Sequence, residues 1–506
     1  KYSFDESGMH KEDIHSNNMI IHGDNLEALK SFLPQYEGKI KCIYIDPPYN
    51  TGNEGWIYND NVNDPKIKKW LGEVVGKEGE DLSRHDKWLC MMYPRLVLLQ
   101  KLLAEDGAIF ISIDDNEHAN LLLVCNEIFG SNNFIQDIIW NKRVSPARDA
   151  KFFSTDHEYI LVYSKNKESL TTHFLPRTEK NNSYYKNPDN DPRGPWNSAA
   201  YTCNKSRDER PNLYYPITNP YTGEKIFPKE SAVWAYSEET YQQHVRDNLL
   251  YWGVNGEAKQ PRKKAFLSEV GDVVPRSVWS HSDVGSTQKA TMENNTIFNM
   301  RAFSYPKVST LVERIIQIAS DKDSIVLDSF AGSGTTAHAV LNMNKSDGGN
   351  RKFILVEMGD YADTITAERV KRVINGYGEG KNAVEGTGGN FSYYELGNPL
   401  FMQDGTINDE VDITEVRKYV WYTETNGIEY KEDIQEKYFL GSYNDTAYYF
   451  YYEKDRVTIL DYEFLTSVHK KEQTYVMYAD SCALSDSDLQ KWNITFKKIP
   501  RDIEHI

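Results

Sequence analysis

Cysteine is scarce in this 506-residue chain. There are five (Cys42, Cys90, Cys125, Cys203 and Cys482), odd in number and without CxxC spacing. That argues against a structural zinc site and for a reducing, cytoplasmic setting. No apolar run is long enough to span a membrane, and the opening KYSFDESGMHKED is no signal peptide. The chain starts on Lys1 rather than Met, which allows for residues upstream. No GxxxxGK[ST] phosphate loop occurs, so the chain is not expected to drive ATP hydrolysis itself. Basic charge is also short: 58 Lys and Arg face 75 Asp and Glu, for a net charge of −17. On average that opposes a polyanionic partner. The average hides a gradient, however. Residues 141–300 hold 22 basic against 19 acidic side chains (+3), and residues 397–506 hold 12 against 21 (−9). A polyanion would meet the middle of the chain rather than its tail.

What is present suffices for several cores: 39% hydrophobic and 13% aromatic residues in a length that suggests roughly two to four domains. Residues 20–45 read as strand, Gly23-Asp24 turn, helix over 25–32 and a second strand. A polar, Gly- and Asn-rich loop is expected over 51–85, and a helix over 87–104. Strand 108–113, helix 117–128 and strands 135–140 and 159–163 follow. From 165 to 300 periodicity weakens. Basic residues there alternate with aromatics: Tyr184, Tyr185, Lys186, Arg193, Trp196, Arg207, Arg210, Arg262, Lys263 and Lys264. α/β order returns with helix 308–319, strand 324–327, helix 335–343, strand 353–356 and helix 361–374. The Gly-rich stretch 376–390 reads as a linker. The tail, 397–506, reads as a small acidic α+β module.

Two turns carry the chemistry. In YIDPPYNTG (44–52), a buried strand ends at Asp46, where open α/β sheets carry their ligand sites. Pro47 and Pro48 stiffen the turn, remove two N–H donors and leave carbonyls as acceptors. Tyr49 adds an aromatic face. In VLDSFAGSGTT (326–336), a strand ends at Asp328, and Gly332 and Gly334 let the backbone approach a ligand closely. Thr335 and Thr336 open a helix whose N–H groups favour an anionic group. The next strand ends at Glu357, 23 residues past Gly334, where an acid can accept from ribose hydroxyls. The same layout would suit NAD, but the third glycine of GxGxxG is missing.

DPPY followed by FxGxGT resembles the amino-methyltransferases that use S-adenosylmethionine to methylate an exocyclic amine in DNA. DPPY comes first, then a long insert, then FAGSGTT, which is similar to the β arrangement of that family. The wording is closest to the modification subunits of type III restriction–modification systems. Six segments carry the likeness in family order: IHGDNLEAL (21–29), IYIDPPYNTG (43–52), RHDKWLCMMYPRL (84–96), GAIFISIDDNE (107–117), FSYPKVSTLVERII (303–316) and DSFAGSGTTAHAVL (328–341). They span about 20–165 and 300–375, with a weaker likeness at FKKIPRDI (496–503).

The resemblance implies a Rossmann-like, seven-stranded-type sheet assembled from residues 1–164 and 301–396. Between them would lie a target-recognition insert, 165–300, and after them a C-terminal module, 397–506, for dimerisation or partner docking. It implies a double-stranded DNA substrate with the target adenine flipped out, a homodimer and room for a separate ATP-consuming restriction subunit. Asp46 and the Pro47 carbonyl would accept the two N6 hydrogens, with Pro48 shaping the turn and Tyr49 stacking on the base. Asp328, Phe330, Gly332, Gly334, Thr335, Thr336 and Glu357 would hold the cofactor. Asp24 resembles the family's contact to the cofactor's adenine and is equally placed to cap helix 25–32. Asp114 reads best as a capping box with Glu117. Lys307 faces either the cofactor carboxylate or solvent. In the insert, Lys and Arg beside aromatics would meet phosphates. His22, His85 and His157 are scattered, and no metal is expected. Two rival readings stay open: a cytosine-N4 methyltransferase, which Asp46 disfavours because those enzymes more often carry Ser there, and a DNA reader on a silent methyltransferase fold.

Overall fold

Every residue of the strand Ile40–Ile45 is buried, the pattern of a strand covered on both faces. In the computed structural model this strand lies inside a large mixed sheet. The structure describes the chain except residues 13, 15, 52–78, 149, 403–404, 426–427, 429, 432–435, 501–502 and 504–506. Most of the loop expected over 51–85 therefore lies outside the described residues. The chain divides into two compact units, one of residues 1–173 with 276–506 and one of Phe174–Pro275.

Among the described residues the sheet of the larger unit has eleven strands. They are β1 (Tyr2–Asp5), β2 (Gly8–His10), β3 (Met19–His22), β4 (Ile40–Ile45), β5 (Leu103–Ile113), β6 (Phe134–Asn141) and β7 (His157–Ser164). After the smaller unit come β8 (Val278–Trp279), β9 (Ile325–Asp328), β10 (Lys352–Glu357) and β11 (Asn390–Glu395). Their order across the sheet is β8-β6-β7-β5-β4-β9-β10-β3-β11-β1-β2. The run β5-β4-β9-β10-β3-β11 is parallel throughout. β7 pairs antiparallel with both β5 and β6. Pairing of Val326 with Cys42 and Leu327 with Ile43 joins the two halves of the chain at the middle of the sheet.

Helices cover the faces. Asn25–Tyr36 and Gly79–Leu102 contribute Leu29, Phe32, Trp88, Met92 and Leu99 to a core shared with Ile43, Ile109 and Ile354. Ser309–Ala319 buries Leu311, Val312, Ile315 and Ile316, residues at helical spacing.

Three segments differ from the sequence reading. Residues 376–390 are not a bare linker: Gly376–Tyr377 and Val384–Glu385 form a hairpin. The chain then enters the sheet as β11, whose Phe391 and Tyr393 are buried. Here glycines serve tight approach, since a Cβ on Gly386 would meet the Ile374 carbonyl at 2.3 Å. The opening residues, read only as no signal peptide, form the β1–β2 hairpin and pair with β11. Residues 276–300, expected in the insert, lie with the larger unit, where Trp279 pairs with Trp140 and helix Thr287–Phe298 buries Ile297 and Phe298. Residues 397–506 hold a four-stranded sheet (Phe439–Tyr443, Thr446–Phe450, Thr474–Ala479, Ile494–Lys498) and helix Ile413–Thr425.

The smaller unit builds its own aromatic core from Tyr201, Tyr215, Ile217, Trp234, Tyr241 and Trp252. Strand Arg262–Phe266 pairs with Trp196–Ala200 and Leu250–Tyr251. Lys264, expected to meet phosphates, is instead buried, with Nζ 2.5 Å from Asp189 and 2.8 Å from Asp191. Arg193, exposed in the turn before Trp196–Ala200, is also engaged within the unit: it bonds Asp191 and its guanidinium lies 4.3 Å from the Phe266 ring centre. Strand Arg262–Phe266 placed Lys264 on its covered face, which texture alone does not reveal. Lys264→Met would leave two neighbouring carboxylates without their buried cation. We expect a loss of about 3–5 kcal/mol in the stability of this unit, read by urea unfolding of the full chain. An unchanged unfolding midpoint would refute a structural role for Lys264.

Candidate active site

The carboxyl ends of β4 and β9 open onto a cavity of about 960 Å³. Asp46, Pro47, Pro48, Tyr49, Asp328, Phe330, Gly332, Thr335, Thr336 and Glu357 all line it. Gly334, behind the lining, caps the following helix. Asp24 does not line the cavity. Its carboxylate accepts from Leu26 N (2.7 Å) and Arg95 Nη2 (3.2 Å), which is the capping role.

The turn after β4 is held from outside. Trp88 Nε1 donates to the Pro48 carbonyl at 2.7 Å, and Asn50, in the left-handed region (φ 58°), donates to Glu117. Among the described residues nothing donates to the Pro47 carbonyl. Glu117 is fully buried and also binds His85 (2.6 Å) and Asn120 (2.8 Å). It therefore does not form the capping box expected with Asp114. Asp114 instead closes an Asx turn onto Asn116 N at 2.9 Å and lines the cavity.

Asp46 is the centre of a charge cluster. Lys307 Nζ lies 2.7 and 2.9 Å from its two oxygens and 2.8 Å from the Tyr49 hydroxyl. That hydroxyl stands 2.9 Å from Asp46 and 3.0 Å from Glu158. Glu158 is paired with Lys142 at 2.9 Å and lies 3.4 Å from Lys307. Two carboxylates thus face two ammonium groups. Burial pushes the Asp46 carboxyl above its ordinary range, with Lys307 opposing. At Glu158 burial acts the same way, but Lys307 and Lys142 outweigh it and hold the group below its usual value. Lys307 is neither solvated nor remote from Asp46: its side chain is 10% exposed. The chain turns through a positive φ at Tyr305 (59°) just before it.

The second turn is built around its two acids. Asp328 accepts from Phe330 N (3.0 Å) and Thr336 Oγ1 (2.5 Å), and burial pushes its carboxyl up to about 7. Glu357 accepts from Gly332 N (2.7 Å) and Gly359 N (2.8 Å), and burial raises it as well. The Tyr361 side chain and Met358 N also act on this carboxylate and lower its pKa against the effect of burial. Gly334 has φ 83°, and a Cβ there would lie 2.9 Å from the Thr366 carbonyl. Beneath the turn, fully buried Arg369 bonds Ser333 (2.8 Å), Thr335 (2.9 Å), Glu293 (3.1 Å) and His338 (3.1 Å). Phe303 and Tyr361, edge to face at 5.4 Å, add an apolar wall to the cavity.

Sequence reasoning missed Glu158, Lys142, Glu293 and Arg369. Glu158 had a signal: an acid at the head of the apolar run YILVY, where a buried charge demands partners. Glu293 and Arg369 had none, since their pairing is a product of the fold.

A parallel sheet with a cavity at its strand ends, a Gly-rich turn before a helix and an acid after the next strand define a doubly wound α/β nucleotide-site protein. The family is narrower: the sequence model of the N6/N4-type DNA methylases matches residues 40–368, and the chain belongs to that DNA methylase family. The Mod subunit of the type III restriction-modification enzyme StyLTI from Salmonella typhimurium is 35% identical over 390 residues, covering 72% of this chain and 58% of that protein. The EcoPI Mod subunit of Escherichia phage P1 is 34% identical over 384 residues, 69% of this chain and 58% of its own length. The type II methyltransferase M.KpnI of Klebsiella pneumoniae is 33% identical, over 67% of this chain and 80% of its own. The chain thus spans a little over half the length of the two Mod subunits.

Asp328 yields a prediction with a definite sign. Its folded pKa of about 7 exceeds the ordinary 3.8, so between those values the folded state binds more proton than the unfolded one. Its contribution to stability therefore falls as pH rises from about 4 to about 7. Asp328→Asn removes that burden, and the thermal midpoint of the ligand-free protein at pH 8 should rise by about 1–3 °C. The gain should vanish at pH 4. A lowered midpoint at pH 8 would show that the ionised carboxylate is worth more to the turn than its burial costs.

Proposed function

We propose that this chain transfers a methyl group from S-adenosylmethionine to N6 of an adenine flipped out of double-stranded DNA, as the modification and recognition subunit of a type III restriction–modification system. One observation carries the reading: a single cavity joins Asp46–Tyr49 to the Gly-rich turn and Glu357. The names of the StyLTI and EcoPI relatives supply the type III assignment.

The residues fit a nucleoside bearing an amino acid. Glu357 offers acceptors for ribose hydroxyls, the Phe303–Tyr361 wall suits a purine face, and Gly332 leaves the backbone bare at the cavity lining. Asp328 would face the amino group of the methionine end. Bound there, S-adenosylmethionine supplies a methyl carbon made electrophilic by its sulfonium.

The chain's own task is to make a poor nucleophile attack. The adenine N6 lone pair is delocalised into the ring, and Asp46 and the Pro47 carbonyl draw it out by accepting both N–H bonds. This is catalysis by positioning and electrostatics. On methylation of N6, one amine proton would pass to Asp46, whose affinity for it burial has raised. In the free protein Lys307 covers both Asp46 oxygens, so it has to yield one when the base enters. Glu158, already 3.4 Å away, takes up the released cation. The resemblance further suggests a homodimer, an ATP-consuming restriction subunit as partner, and docking by the acidic tail. It also assigns target recognition to the insert.

Expression in a host lacking DNA methylation, digestion to nucleosides and mass spectrometry test the reaction. N6-methyladenine should appear and fall by on the order of 10²–10³-fold or more in Asp46→Ala. N4-methylcytosine would refute the base assignment, and no modified base at all would refute the reading. Glu158→Gln should lower kcat about 10-fold or more while cofactor affinity stays within about threefold. An unchanged kcat would remove Glu158 from this mechanism.

A further inference from the structure

The segment joining β6 to β7 starts at Lys142 and Arg143 and ends just before His157, the first residue of β7, and Lys142, Arg143 and the β7 residue Glu158 line the cavity. Its base is pinned: Lys142 N donates to the Asp156 carbonyl at 2.8 Å, and Ser154 Oγ accepts from Ala147 N at 2.7 Å. The same hydroxyl donates to Asp156 at 2.5 Å. From this closed base the loop presents two adjacent phenylalanines to water, Phe152 at 81% exposure and Phe153 at 92%. Neither belongs to any core of the unit, although a soluble surface rarely spends two neighbouring large apolar side chains without a partner.

Charge says what kind of partner. With Lys142 engaged by Glu158, Arg143, Arg148 and Lys151 stand in the connection against Asp149 and Asp156, a local excess of positive charge within a chain of net charge −17. Lys151 Nζ lies 5.2 Å from the Phe152 ring centre, keeping a cation beside the apolar tip. Reach says where that partner lies. Phe153 is five residues from Glu158, and an extended chain covers at most about 3.3–3.6 Å per residue. The tip is therefore within about 18 Å of the cavity wall at Glu158, less than the width of a duplex.

Resting on the proposed function above, we infer that Phe152 and Phe153 form an apolar wedge that enters double-stranded DNA beside the extruded base. Extruding a base breaks stacking on both sides, and an inserted apolar side chain replaces part of it. The framing cations meet the flanking phosphates and hold the wedge in register. A protein partner or a second copy of this chain would bury the same pair without this dependence on base pairing.

The test uses the full chain and a duplex carrying the sequence methylated in the host experiment. The target is either paired normally or set opposite a mismatch, which lowers the cost of extrusion. Phe152→Ala/Phe153→Ala should slow methylation of the paired duplex about 10-fold or more and recover to within about threefold on the mismatched one. Phe152→Leu/Phe153→Leu should retain most activity. With 2-aminopurine at the target, the alanine pair should lose most of the fluorescence rise that accompanies extrusion. Equal rates for wild type and the alanine pair on paired DNA would overturn the wedge, as would equal losses on both duplexes. A loss that tracks a changed sedimentation coefficient would also overturn it and assign the pair to a protein interface. If the wild type modifies no base, the reaction reading fails and not the wedge alone.

Discussion

Two backbone pairings in the middle of the sheet, Val326 with Cys42 and Leu327 with Ile43, set everything the cavity contains. They bring the end of β4 beside the end of β9, so Asp46 and Asp328 open onto one space although most of the chain lies between them. A parallel register slipped by one residue would exchange the two covered faces of β4 and set every side chain against the wrong layer. Because all six β4 residues are buried, that slip is prohibitive, and the site inherits its geometry from core packing. Order within the sheet does the rest: β10 follows β9 in parallel register and places Glu357 across the same opening.

Electrostatics within this frame works by local neutrality. The chain is strongly acidic, yet Asp46 and Glu158 meet Lys307 and Lys142 in one cluster, and Glu293 meets Arg369 beneath the Gly-rich turn. Such buried pairs are weak contributors to net stability, because desolvation offsets most of the attraction. Their value lies in fixing positions. Arg369 ties Ser333 and Thr335 to the helix that carries Glu293, and burial together with Arg369 depresses the pKa of His338 to about 4, leaving its ring neutral at physiological pH. The Asp46 cluster differs because it lines open space. A base that offers two N–H donors competes there with an ammonium that already holds both carboxylate oxygens.

How much of this the sequence disclosed follows from how local each signal is. Asp46 to Tyr49 and the 328–336 turn were legible because strand, turn chemistry and helix start are encoded in consecutive residues. Their convergence in one cavity needed only the α/β order of elements. The linker reading of 376–390 went astray for the opposite reason: glycines that allow close backbone approach look the same as glycines that confer freedom. Lys264 and Arg193 show a third limit. Each stands beside aromatics, as a phosphate contact would, but strand alternation turned Lys264 toward Asp189 and Asp191, and a local turn brought Arg193 onto Asp191. Glu158 could be suspected as a lone acid on an apolar strand, whereas its partner Lys307 was half seen and assigned to other neighbours.

The connectivity separates what must be rigid from what can vary. In sequence, the unit Phe174–Pro275 lies between β7 and β8. Inserting a segment at such a connection adds little closure entropy, since that cost grows only with the logarithm of loop length. With its own aromatic core and its own buried charge pairs, the insert brings its stability with it. The loop of Phe152 and Phe153 has no such independence, because it joins β6, which ends just before Lys142, to β7, which carries Glu158. In the proposed reaction this divides the labour: sequence reading can drift with the insert, while extrusion and transfer stay fastened to one sheet.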